Sequence, residues 1–148
     1  MKQGVTVAAM LVLATLGLAT AHARDGDDYS RKEVGKMIGR AEEKCDEFKK
    51  LTEKELTQSI LEGTRIADNI NREVQKLDDA IDRLKKKFDR DDKLKETRDE
   101  AADVLGAAKA VERALEDVKR GSNIWEEWKP LKKEIETLAE AYELSKKK

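Results

Sequence analysis

Acid–base, nucleophilic and metal chemistry in proteins falls mostly to histidine, cysteine and suitably spaced carboxylates. This chain of 148 residues has one histidine, His22, and one cysteine, Cys45. His22 sits in Ala21-His22-Ala23, a small-x-small triplet behind an apolar run, the form of an export cleavage site. Once it is cut away, no histidine remains. That removes histidine-based triads, histidine-ligated zinc or haem, and carboxylate–histidine di-iron sites. There is no C-x-x-C pair and no glycine-rich phosphate loop. With 32 Asp and Glu in the chain, neighbouring carboxylates carry no information by themselves. The aspartates of 25–28 (DGDD) and 89–92 (DRDD) lack the spacing of an EF-hand loop, so turn and capping roles account for them. The expectation is a non-enzymatic chain with no cofactor and no metal site.

Three further groups merit a reading. A leftover cysteine in an exported chain is a free thiol or an intermolecular disulfide. Cys45 lies on an apolar stripe between Ala41 and Phe48, so it reads as a buried small hydrophobe in a monomer; a dimer linked through Cys45 is the alternative. Trp125 and Trp128 are three apart. Trp128 belongs to an apolar stripe and is expected in the core. Trp125 lies off that stripe and reads either as a staple at a helix start or as an exposed partner-binding residue. Arg65, Asp68 and Asn71 sit near the start of a helix; they read as capping and pairing groups, with partner contact as the alternative.

The elements that position these groups follow from composition. Lys and Arg number 31, and 43% of the chain is charged. Of the 148 residues, 81 are Ala, Glu, Lys, Leu or Arg, a composition of long helices or coiled coils. One proline and six aromatic residues argue against a sandwich or a dinucleotide-binding domain. Basic and acidic groups are nearly balanced and interleaved, without the basic stripe of a nucleic-acid binder. The like-charge runs Lys85–Lys87 and Lys146–Lys148 read as solvated helix faces.

Met1-Lys2-Gln3 is a short positive start, and Val5 to Leu18 is almost wholly apolar. With Ala21-His22-Ala23 behind it, residues 1–23 read as a cleaved signal peptide. The alternative is an uncleaved anchor; the uncharged run from Gly4 to Ala21 is the bare minimum for spanning a bilayer. The mature chain is expected to begin at Arg24, carry no membrane segment and reside in the periplasm or outside the cell. Residues 24–29 form a loose polar lead-in, and residues 30–148 a single helical domain.

Within that domain Val34, Ile38, Ala41, Cys45 and Phe48 step by 4, 3, 4, 3, one face of a helix. Leu51, Leu56 and Ile60 continue it with a phase drift that suggests a bend near Thr52, where T-E-K-E has the form of a capping box; the chain is expected to stay helical through it. Gly63-Thr64 suits a helix end followed by an N-cap, although a helix continuous through Gly63 is an alternative. Ala67, Ile70, Val74, Leu77, Ile81, Leu84 and Phe88 then alternate steps of 3 and 4 without error. After the charged turn at 89–92 comes a stripe of Leu94, Ala101, Leu105, Ala108, Val111, Leu115 and Val118, widened by Ala102, Val104, Ala107, Ala110 and Ala114. Arg120 to Asn123 separates it from a last stripe of Ile124, Trp128, Leu131, Ile135, Leu138 and Tyr142. Asn123 and Glu126 are spaced as a capping box, and Pro130 should kink this helix or delay its regular part.

The fold class is therefore all-α: an antiparallel up-down four-helix bundle, with a helical hairpin carrying coiled-coil-like stripes as the rival. Pairs at i,i+4 such as Asp46–Lys50, Asp79–Arg83, Asp82–Lys86 and Glu116–Arg120 should support the exposed faces by about 0.2–0.5 kcal/mol each. Burial of the stripes must supply most of the stability.

Four segments, Ser59–Asn71 (SILEGTRIADNIN), Ala80–Asp89 (AIDRLKKKFD), Val104–Ala108 (VLGAA) and Trp128–Tyr142 (WKPLKKEIETLAEAY), resemble motifs of an uncharacterised family of bacterial exported helical proteins. That family carries an S-x-L-D-G-T-R-x-x-D-x-I-N element, an A-T-D-R-L-R-x-R-F-D element and a W-x-x-[LV]-R-x-x-L-D-x-L-A-x-A-Y ending. The resemblance spans about Phe48 to Tyr142. Where the family often has Glu three residues after the threonine, this chain has Ala67. The resemblance implies export and an all-helical fold, and it implies no activity. The functional expectation is an exported helical bundle acting in protein–protein interaction or as a structural envelope component, with a protein partner still to be named. The alternative is a periplasmic chaperone-like or stress-related binder, which needs an exposed apolar groove.

Overall fold

A computed structural model describes residues 29–91 and 93–144. The signal peptide expected at 1–23, the lead-in up to residue 28, Asp92 and the terminal lysines lie outside the described residues. Four helices form: α1 Arg31–Thr57, α2 Arg65–Arg90, α3 Arg98–Ala114 and α4 Asn123–Ala141. Short 3-10 turns, Leu94–Thr97 and Leu115–Asp117, lead into and out of α3.

Each start has a local cause. Ser30 accepts from Glu33 N while the Glu33 carboxylate accepts from Ser30 N, a complete capping box for α1. Thr64 Oγ1 accepts from Ala67 N and caps α2. Ser122, one residue earlier than the expected Asn123, caps α4 through Trp125 N. Gly63 and Gly121 stand just before the caps of α2 and α4 at φ 69° and 87°, a region that favours glycine. At the other end of α4, Leu144 N donates to Ala139 O at 2.8 Å and Glu143 takes φ 56°, the Schellman closure of a helix C-terminus.

The helices run up-down-up-down, as cross-helix pairs with opposed numbering establish. Between α1 and α2, Glu42 meets Lys85 and Lys49 meets Asp78. Between α1 and α4, Arg40 meets Glu134, Phe48 meets Trp128 and Glu55 meets Asn123. Lys87–Glu100 links α2 to α3, and Glu112–Lys132 links α3 to α4. The molecule is a four-helix bundle, not a two-stranded hairpin.

All seven positions of the α2 stripe are buried, as are Val34, Ile38, Ala41, Cys45 and Phe48 of α1 and all six stripe positions from Ile124 to Tyr142. Filling this single core with side chains such as Leu77, Leu84 and Leu131 contributes about 1.5–3 kcal/mol apiece. Pro130 is exposed, and α4 runs through it as one element.

Several expectations are corrected. The first helix ends at Thr57, so neither a helix through Gly63 nor a stripe reaching Ile60 survives. Thr57 Oγ1 turns back to Glu53 O at 2.6 Å and Ser59 Oγ to Leu56 O, so local hydroxyls take the carbonyls at the helix end. α1 stays helical through Thr52, as expected, and Thr52 serves as a fully buried side chain inside it rather than as a cap. On α3 the inward face is Ala101, Val104, Ala108 and Val111, while Leu105 is half-buried and Ala102 exposed. The α3 helix, at 17 residues, is shorter than its stripe from Leu94 to Val118 because 3-10 turns take both ends. Of the four expected i,i+4 pairs only Asp82–Lys86 forms among the described residues, at 4.0 Å. Other ion pairs form in their place among these residues, five across helix seams and the rest within a helix at spacings such as Lys44–Glu47 and Glu126–Lys129.

Candidate functional site

The residues singled out by sequence divide into two structural settings. Cys45 and Trp125 lie inside; Arg65, Asp68 and Asn71 lie outside.

Cys45 is 0% exposed and unpaired on the inner face of α1. Burial, seconded by the nearby Asp78 and Asp46 carboxylates, pushes its thiol up to about 12. A thiol so placed stays protonated at neutral pH, and the thiolate is the reactive form. In this conformation Cys45 packs as a small apolar side chain, as its stripe position implies.

Trp125 was the off-stripe tryptophan, and it is only 6% exposed. Its indole Nε1–H donates to Val118 O at 3.0 Å, and the Arg120 guanidinium carbon lies 4.8 Å from its ring centroid. The side chain thus folds back over the α3–α4 connection and staples the start of α4 to it. Its ring is covered on one side by Arg120 and is not presented outward. Trp128 is in the core against Phe48, with ring centroids 5.3 Å apart. Its Nε1 and Thr52 Oγ1 are both buried with no hydrogen-bond partner among the described residues.

Arg65, Asp68 and Asn71 all fall in the first two turns of α2, at steps of three, with exposed side chains. None makes a side-chain hydrogen bond or ion pair among the described residues; the capping of α2 is done by Thr64 instead. Directly before them in the α1–α2 connection is Ile60, 98% exposed, which the stripe reading had assigned to the core. Leu61 beside it is half-buried against the core, which leaves Ile60 as the apolar tip of the turn. An isolated isoleucine in solvent is ordinary, and here it lies in the connection that leads into the turns of α2 bearing these three exposed side chains. Helix α1 keeps Thr52 and Leu56 on the core face after Phe48, and Ile60 leaves it only beyond the helix end at Thr57.

Elsewhere several charged groups are paired across the helix seams, and others are exposed without a partner among the described residues, as Lys36 and Lys109 are. The cleft between α2 and α3 is lined by Arg83, Lys86, Lys87, Arg90, Glu100 and Asp103 among others. Lys87 Nζ spans it to Glu100 at 2.8 Å, and that bond holds the Glu100 carboxyl below the usual range. Likewise hydrogen bonding to Lys76 lowers Glu73. These are ion pairs across or along helices, with no nucleophile or base between them. Among the described residues no cluster of His, Cys, Asp or Glu has the geometry to hold a metal ion. No described helix is long and apolar enough to cross a membrane.

Comparisons with protein-family models, curated proteins and solved structures give no match to this chain. The residues that carry the family resemblance have architectural positions: Gly63 and Thr64 start α2, Phe88 ends its stripe, and Tyr142 closes α4.

Proposed function

We propose that this chain is an exported, non-enzymatic helical bundle that acts by contacting a partner protein at the end of the bundle formed by the α1–α2 connection. The observation that carries this reading is Ile60, 98% exposed in the connection that leads into α2, whose opening turns carry the exposed Arg65, Asp68 and Asn71. An exposed apolar side chain with polar residues on the next element is the composition of a small interaction surface, in which few residues contribute most of the binding. Export rests on the layout of residues 1–23, with the mature chain beginning at Arg24. The chaperone-like alternative calls for an exposed apolar groove. The exposed large hydrophobics among the described residues are Tyr29 and Ile60, which gives that reading no separate support.

The test uses the full chain with its native leader, carrying a photo-crosslinking amino acid at position 60 or, as control, at exposed position 95. A discrete adduct from position 60 alone, lost in Asp68→Lys, is the expected result. Identical patterns from both positions, or no adduct at 60, overturn the contact surface. N-terminal sequencing of the same sample should read from Arg24, and retention of Met1 in exported protein overturns the cleavage.

A further inference from the structure

No further inference is drawn: the strongest candidate, the shallow groove between α2 and α3 floored by Ala80, Ala102, Gly106 and Ala107, is a stripe of small residues between charged walls, and nothing in the structure shows what covers it.

Discussion

Arg31 holds Phe88 twice. Its guanidinium carbon lies 4.5 Å from the centroid of the Phe88 ring, and its Nη2 donates to Phe88 O at 2.6 Å. The same nitrogen reaches Asp91 O at 3.1 Å. A side chain in the first turn of α1 thereby satisfies carbonyls at the end of α2, where the helix leaves them without intrahelical partners. The cation also suits the negative end of the α2 dipole.

Arg31→Ala should therefore cost about 1–2 kcal/mol, from a ring contact of about 0.5–1 kcal/mol and a charge-assisted bond of similar net value. Urea unfolding of Arg31→Ala beside Lys32→Ala, an exposed neighbour, measures it. Equal midpoints for the two variants would mean that the Arg31 contact is not formed in solution.

Three helix-interior glycines separate by what lies above them. A Cβ at Gly35 would meet Phe88 Cε1 at 3.1 Å, whereas Gly39 and Gly106 have nothing within 4 Å. Gly39→Ala and Gly106→Ala should each stabilise the protein by about 0.5–1 kcal/mol through the lost flexibility of glycine. Gly35→Ala should gain less or lose stability, because the ring that must move is already held under Arg31. Thermal melts of the three variants decide this, and an equal gain at all three positions would contradict the contact.

Thr52 hides a hydroxyl with no partner among the described residues. Removing such a group while keeping the shape relieves a desolvation cost of about 1–3 kcal/mol. Thr52→Val should accordingly be neutral or stabilising in denaturant titrations. A loss above about 1 kcal/mol would show that the hydroxyl is bonded in the folded protein.

Cys45 gives a prediction in two variables. Native protein should react slowly with a thiol reagent at pH 7–8, and rapidly once unfolded, because burial keeps the thiol covered and protonated. Burial pushes the folded thiol up to about 12 from its ordinary value of 9.0, so the unfolded chain releases this proton first as pH rises. The contribution is thus fully present below about 9 and is lost between there and about 12, at up to about 1.4 kcal/mol per pH unit. Stability measured from pH 8 to 11 should fall less steeply in Cys45→Ala. Reductant-sensitive dimers of the native protein would instead mean that α1 turns Cys45 outward.

How far the sequence was legible follows from what each stripe had to do. The α2 stripe from Ala67 to Phe88 faces α1 and α3 along its whole length, so its unbroken period is its burial. Trp128 was readable for the same reason. Ile60 was misassigned because periodicity extends past the point where Thr57 and Ser59 capture the helix-end carbonyls. Leu105 stood on the stripe and Val104 on its widened edge because an alanine-rich helix offers two adjacent apolar faces, and only the packing of α2 and α4 chooses between them. Trp125 eluded the stripe because its burial depends on a backbone carbonyl and an arginine in the preceding turn. At the candidate contact surface, the placement of Arg65, Asp68 and Asn71 on the opening turns of α2 was readable. Their lack of partners was not, since pairing is a property of three-dimensional neighbours.

The seam between α1 and α4 joins residues as far apart as Arg40 and Glu134, 94 positions along the chain. Helix α1 is made first, but Trp128, the cover for Phe48, is made almost last. During synthesis the first stripe has no α4 to close against, so a nascent chain lacks the finished core until most of its length has emerged. Such an order of assembly delays folding, which requires non-local contacts to form before the core closes. The first three helices can therefore leave the ribosome with one long side of the core still open, and the last helix acts as the clasp that shuts it.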